Sequence, residues 1–351
     1  MNNDYELLAQ ALDALPNRFP RTQSGIELRI LQKVFTPEEA AIARALTRDM
    51  QPAGAIAERT GQSASETLAL LQAMAGRGLI WSDWQPDAPC FRLAPFIVGF
   101  WESQLEVMDH ELAHLVEEYL TGGGAAGIMS PQPALHRVIP AARAIKTEWV
   151  LPYDDVRQIL LEANRFSVRA CVCREQRRQL DQACHFPLVN CLSFSHSEGP
   201  DQPGDITQAQ ALALLDQAEQ VGLVHTVSNV LQGFGYVCNC CGCCCGILRG
   251  ITDWGVEKSV AYANYYAVID PDECLGCGTC VTRCQVHAIS EQDGVSVVDR
   301  ERCIGCGLCV SGCPNDVAVL QRKPEAEIVH PPHDFGAWER DRLINMGRAR
   351  L

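Results

Sequence analysis

The apolar positions of this chain fall into segments of different period, and each period predicts an element. From Thr36, TPEEAAIARALTRDM opens with a helix start signal: Thr36 as the cap, Pro37 at the first helical position, and Glu39 closing a capping box. PAGAIAERTG predicts a short second helix, and SASETLALLQAMAGRG a third, with Ser63 and Glu66 in the same capping relation. GLIW and CFRLA then read as two strands across a polar turn containing Asp83, Pro86 and Asp87. WESQLEVMDHELAHLVEEYL places apolar residues at helical spacing opposite an acidic face and predicts a further helix. Farther along, ITQAQALALLDQAEQVGLVHTV predicts a helix with Thr207 and Gln210 as its capping box, Gly222 near its stop, and Ala211, Leu214, Leu215 and Ala218 facing the core. AISEQDGVSVVD alternates about Asp293-Gly294, as a hairpin does. TGGGAAGIMSPQP, from Thr121, reads as a flexible linker, and AWERDRLINMGRARL as a short basic helix that packs or docks.

These elements predict an α+β, multidomain chain: a first module over residues 1–120, a linker over 121–150, a cysteine-rich module over 151–263, a compact domain over 264–322, and a tail over 323–351. Three short helices followed by a hairpin resemble a winged helix-turn-helix, a fold that does not carry function by itself. A DNA reader presents basic or polar side chains at the N-terminal end of its third helix. Here that end offers Ala64, Glu66 and Thr67, and the first basic residue is Arg77, near the far end. Residues 1–150 hold 12 basic and 18 acidic side chains, and the whole chain carries a net charge of −14, so the charge disfavours a nucleic-acid partner. The expectation is a protein-docking module, with an iron–sulfur redox-sensing regulator as the alternative.

Composition is that of a soluble globular protein, 47% hydrophobic and 21% charged, apart from 19 clustered cysteines. The N-terminus, MNNDYELLAQ, lacks the basic and apolar regions of a signal peptide, and the apolar stretch FRLAPFIVGFW is too short and interrupted to span a bilayer. The expectation is a cytoplasmic, reducing location without a membrane span, where thiols remain free to bind metal.

From Cys274 the chain reads CLGCGTCVTRC, and from Cys303 it reads CIGCGLCVSGCP. One C-x-x-C-x-x-C-x-x-x-C pattern therefore occurs twice, the spacing by which thiolates hold 4Fe-4S cubanes, with the fourth ligand of each taken from the other run. Cys274, Cys277, Cys280 and Cys313 form one set, and Cys303, Cys306, Cys309 and Cys284 the other. Gly276, Gly278, Gly305 and Gly307 allow close backbone approach with N–H groups aimed at sulfur. From about Tyr266 to Gln321 these residues resemble the bacterial dicluster ferredoxins. One departure is Gln285, where that family has proline after the fourth cysteine; the second run keeps Pro314. Zinc also takes four-cysteine sites, but zinc ribbons use well-separated C-x-x-C knuckles rather than two complete runs.

Upstream lie ten more cysteines. RACVCREQRRQLDQACHFPLVNC supplies Cys171, Cys173, Cys184 and Cys191, and CNCCGCCC supplies Cys238, Cys240, Cys241, Cys243, Cys244 and Cys245. Adjacent cysteines rarely all bind one cubane, since each thiolate must reach a different iron. One or two additional iron–sulfur clusters drawn from both segments are expected, with zinc or redox-active thiols as alternatives. His185 is a possible substitute ligand. Arg169, Arg174, Arg177 and Arg178 read as a solvated basic face, and the glycines around CNCCGCCC predict a loop. Cys240-Cys241-Gly242 resembles the CCG of heterodisulfide-reductase domains, but the downstream C-x-x-C falls on Cys277 and Cys280, and no suitably spaced upstream cysteine is present.

HELAH fits the letters of a zinc metalloprotease, with His110 and His114 as ligands and Glu111 as base, but a third ligand at Glu117 or Glu118 is only conjectural. Chance occurrence in an acidic amphipathic helix is the simpler reading; a metal-dependent enzyme using this pair or the central cysteines is the second alternative. No nucleotide or flavin motif is present. The sequence thus predicts an electron-transfer protein, serving a larger oxidoreductase in anaerobic metabolism through a redox partner protein.

Overall fold

The computed structural model describes residues 3–83, 88–145, 150–199 and 204–348. The chain divides into two compact units: Met1–Ile128 with Glu175–Ala183, and Met129–Arg174 with Cys184–Leu351.

The first unit begins with helices α1 (Asn3–Ala14), α2 (Ile26–Val34) and α3 (Pro37–Ala43), followed by β1 (Gln51–Pro52), α4 (Ala53–Thr60), α5 (Ala64–Gly76), β2 (Ile80–Ser82) and β3 (Cys90–Leu93). The start of α3 is built as its sequence dictates: Thr36 Oγ1 accepts from Glu39 N, and the Glu39 carboxylate accepts from Thr36 N. Ser63 caps α5 by accepting from Glu66 N, while its own hydroxyl donates to the Glu66 carboxylate. Strands β2 and β3 pair antiparallel with Ile80 opposite Leu93, and β1 lies on the other side of β3. Asp83 accepts from Cys90 N at the hairpin; Pro86 and Asp87 lie outside the described residues. The FRLAPFIVGFW stretch supplies core: Phe96 packs against Phe19, Phe100 and Tyr119 with ring centroids 5.0, 5.4 and 5.6 Å away.

The helix expected across WESQLEVMDHELAHLVEEYL is two pieces. Glu102–Val107 is a 3-10 turn, Met108 is extended, and α6 (His110–Tyr119) starts afresh. Asp109 causes the break by accepting from Leu112 N at 2.8 Å, which caps a new helix. Lys33 braces the junction through Asp109 and Glu111.

The stretch that begins at Thr121 holds regular elements among its described residues. Tyr119 leads through a wide turn over Leu120–Gly124 into α7 (Ala125–Met129), and β4 (His136–Ile139) is a fully buried strand of the second unit. Composition misleads here because Gly124 serves packing: a Cβ there would overlap the Tyr119 ring.

The second unit is organised by a seven-stranded sheet. After β4 come α8 (Val156–Leu161), β5 (Arg165–Ala170), α9 (Val172–Gln179), which leaves for the first unit after Arg174, and then β6 (Val189–Ser195) and β7 (Asp205–Ile206). They are followed by α10 (Gln208–Val221), β8 (Val224–Ser228), β9 (Tyr236–Cys240), α11 (Gly246–Thr252) and β10 (Val260–Ala261). The strand order is β10-β4-β8-β9-β6-β5-β7, antiparallel except for the β10–β4 pair. Helices α8 and α10 cover it through Val156, Leu160, Ala211 and Leu215, packed on Phe166, Leu192, Phe194 and Val237. The α10 start carries both bonds of the Thr207–Gln210 capping box, and Gly222 ends the helix in the left-handed conformation.

The two-motif region continues the same unit. It comprises β11 (Tyr265–Ile269), α12 (Thr279–Arg283), the hairpin β12 (Ile289–Gln292) and β13 (Val295–Val298), α13 (Leu308–Ser311), and β14 (Ala318–Arg322), which pairs antiparallel with β11. It shares the second unit with the sheet, and Ala141 N donates to Cys306 O at 2.9 Å. In the tail, α14 (Phe335–Asn345) packs by Trp338, whose indole donates to Ala134 O at 2.9 Å, and by the fully buried Arg342, which donates to Pro133 O.

Candidate metal centres

CNCCGCCC is a strand, a turn and a helix start in eight residues. Cys238 and Cys240 end β9, the turn runs through Gly242, and Cys245 precedes α11. The expectation of a loop throughout is corrected by this, and the geometry explains how adjacent sulfurs reach different places. Alternation on β9 sends Cys238 and Cys240 to one face and Asn239 to the other. Asn239 is buried and bonds Asn190 and His225, so the strand is held by side-chain polar contacts between its two cysteines.

The ten central cysteines fall into two groups. Cys184, Cys241, Cys243 and Cys244 bring their Sγ atoms within 4.8 Å of one another. Cys241 and Cys244 are buried beside Ala218 and Leu223, with Phe186 packed against them. The other six form a chain of neighbouring thiols: Cys171 to Cys173, Cys173 to Cys245, Cys245 to Cys240, Cys240 to Cys238, and Cys238 to Cys191. Its last link is a sheet contact, since Cys191 on β6 stands directly opposite Cys238 on β9. Thr226 Oγ1 adds a polar neighbour 3.5 Å from Cys240 Sγ. Hydrogen bonds from neighbouring thiols hold Cys240 down at about 6; at Cys173 the hydrogen bond with Cys171 pulls down, but the one with Cys245 and burial outweigh it and push the thiol up. His185 is exposed against Phe186 and outside the four-thiol group.

Arg174 is not part of a solvated face. It is 4% exposed, with Nη1 donating to Pro187 O and Nη2 to Asn239 O, and its Nε is a buried donor without a hydrogen-bond partner. Burial disfavours its charge, but Cys171, Cys241 and Cys240 outweigh that and hold the guanidinium more firmly protonated. One cation thus serves both thiol groups. Arg177 pairs with Glu117 and Arg178 with Glu175, and Arg169 and Arg178 are the exposed members of this cluster.

In the two-motif region Cys284, Cys303, Cys306 and Cys309 are electrostatic neighbours, and burial pushes Cys306 up to about 12. Such a set suits anionic ligands only with compensating charge, which a bound cationic cluster core supplies. Backbone N–H groups are aimed at sulfur: Ala288 N donates to Cys284 Sγ at 3.1 Å and Ser296 N to Cys274 Sγ at 3.5 Å. Ser296 N and Gly276 N hold Cys274 below the usual thiol range. Cys277 is the charged neighbour of Cys274, and Thr279 Oγ1 stands 3.5 Å from its sulfur. The residues therefore fit iron–sulfur ligation of the kind the spacing implies.

Gln285, which replaces the expected proline, bridges the two cysteine regions. Its Oε1 accepts from Gly242 N at 2.9 Å and its Nε2 donates to Gly222 O at 2.8 Å. Gly242 has to be glycine, because a Cβ would overlap the Gln285 carbonyl. Arg283, two residues earlier, donates to Leu308 O and to the last carbonyls of α10 at Glu219 and Gln220. Sequence reasoning noticed Gln285 only as a departure; the glutamine amide, able to donate and accept at once, was the available signal.

At HELAH, His110 Nε2 and His114 Nε2 lie 3.2 Å apart on an exposed face. Glu111 is tied to Lys33 and Glu117 to Arg177, and among the described residues no third ligand joins the two histidines.

No helix among the described residues is long and apolar enough to cross a membrane. No curated protein and no solved structure matches the chain. Residues 267–320, which contain all eight cysteines of the two runs, match the family described as the 4Fe-4S dicluster domain, so the C-terminal region is an iron–sulfur domain of the ferredoxin type.

Proposed function

We propose that this chain is an iron–sulfur electron-transfer protein. It relays single electrons through one cluster on Cys274, Cys277, Cys280 and Cys313 and another on Cys303, Cys306, Cys309 and Cys284. The observation that carries the reading beyond a free ferredoxin is the Gln285–Gly242 bridge, which fixes the residue after Cys284 against the residue between Cys241 and Cys243. A third iron–sulfur centre is drawn from Cys171, Cys173, Cys191, Cys238, Cys240 and Cys245, whose sulfurs succeed one another in space. When bound, the clusters supply the one-electron chemistry. The chain's own groups set its energetics: N–H donors on sulfur, burial, and the Arg174 charge.

The first unit serves as the docking module of a redox partner in a larger oxidoreductase of anaerobic metabolism, in the cytoplasm. Its α3–α5 and three-stranded sheet follow the order of a winged helix. DNA reading is disfavoured further by Arg77, the residue that ends α5, being paired with Glu39.

The test is iron and acid-labile sulfide per chain in anaerobically prepared protein, with EPR of the reduced state and titration against a one-electron donor. About twelve irons with matching sulfide are expected. About eight would remove the third centre, and protein that takes up no electrons would remove the relay. A sequence-selective, salt-sensitive DNA shift would replace the docking role by regulation.

A further inference from the structure

We propose that Cys184, Cys241, Cys243 and Cys244 hold a single tetrahedral divalent metal ion of the zinc class, distinct from every iron–sulfur cluster of the chain. The distances separate the two kinds of site. One ion with metal–sulfur bonds of about 2.3 Å places its four thiolates about 3.8 Å apart. The Sγ atoms of this group all lie within 4.8 Å of one another, with Cys243 and Cys244 at 3.7 Å. A cubane places each cysteine on its own iron and spreads the four sulfurs wider. Among the described residues no three of the eight ferredoxin cysteines, and no three of the six chained thiols, come that close together.

Local architecture agrees. Two consecutive cysteines, Cys243 and Cys244, both face one point, which a compact tetrahedron accommodates. Cys184 arrives from where the chain re-enters the second unit after Ala183. The ion would pin that re-entry to the β9–α11 turn, closing a long loop at a seat whose inner side, at Cys241 and Cys244, is buried against Ala218 and Leu223 and whose outer side, at Cys243, is exposed. Four protein thiolates leave no open position for water or substrate, the mark of a structural rather than a catalytic ion. The charge of a tetrathiolate site is offset by Arg174, a buried cation with Cys241 among its neighbours. Zinc outranks iron(II) at such a site by the general order of affinities.

The inference does not depend on electron relay. The experiment is zinc, iron and sulfide content of the full chain prepared anaerobically, wild type against Cys243→Ser and Cys184→Ser. About one zinc per chain is expected, lost in both variants, with iron and sulfide unchanged. If a variant fails to fold, zinc K-edge absorption of the wild type decides, with four sulfurs at about 2.3 Å and no nearby metal expected. One iron in excess of sulfide, lost in the variants, upholds the mononuclear site with iron as its ion. Joint loss of about four irons and four sulfides overturns it, as does wild-type protein with no zinc and no iron beyond its sulfide.

Discussion

Gln285 and Gly242 interlock. The Gly242 N–H donates to the Gln285 side chain at 2.9 Å, the same side chain donates to Gly222 O at 2.8 Å, and the Gln285 carbonyl occupies the space a Gly242 Cβ would need. The residue following Cys284 is thereby fixed to the turn that carries the central thiols.

Gln285→Ala breaks both hydrogen bonds and leaves Gly242 N and Gly222 O partly buried without them. Each is worth on the order of 1 kcal/mol, so a loss of about 1–3 kcal/mol is expected in anaerobic denaturant unfolding, with the iron content of the ferredoxin region retained. Gly242→Ala should cost more, because the overlap is with backbone, and should lower metal content at the central cysteines. Gly242→Ala with wild-type stability and metal content contradicts the interlock.

Cys284→Ser removes one thiol of the proposed ligand set with Cys303, Cys306 and Cys309, its electrostatic neighbours. Loss or lability of about four irons is expected, together with loss of any spin–spin broadening between the two ferredoxin clusters in EPR. Broadening that persists at full strength would assign Cys284 elsewhere.

Arg174→Gln withdraws the buried charge beside Cys171, Cys240 and Cys241. Removing one partner from a buried charged group costs roughly 3–5 kcal/mol, so the variant should unfold at markedly lower denaturant. A redox titration of what folds should place the central centre at a more negative potential, since reduction adds charge that the guanidinium no longer offsets. Arg174→Lys should recover part of the potential.

His136 is buried, its Nδ1 3.2 Å from Thr226 Oγ1 and its Nε2 2.9 Å from Tyr236 Oη. Burial holds it down at about 4. An unfolded histidine titrates near ~6.5, so on acidification the unfolded chain takes up this proton first. The native state therefore loses stability as pH falls through that window. Between about pH 7.5 and pH 5.5 the wild type should lose about 1.4 kcal/mol relative to His136→Gln. Asp154, which burial raises to about 6, titrates in the opposite sense in the same range but is common to both proteins. Equal pH sensitivity of the two in denaturant unfolding would show that His136 is not buried neutral.

Features that depend on neighbouring residues were legible beforehand. Thr36 with Glu39 and Thr207 with Gln210 form their capping boxes because both partners lie within one turn. Asp293-Gly294 makes its hairpin turn with both residues at positive φ for the same reason. Asp109 was misread, because periodicity runs through a helix break while capping ends it. The strand at His136–Ile139 was missed because the glycines before it outweighed four residues whose burial the sequence does not record.

By itself the sequence determined the ferredoxin region, since three of four ligands of each cluster come from one short run and the spacing encodes the wrap around the metal. It also marked the central cysteines as candidate metal ligands, though not how they divide. Only the tertiary structure decided that Cys191 meets Cys238, that Cys184 joins Cys241, Cys243 and Cys244, and that Arg174 lies buried between the groups. Strand register and the return path of the chain fix those meetings, and both follow from burying the hydrophobic face of a whole sheet, a condition that no local spacing of residues carries.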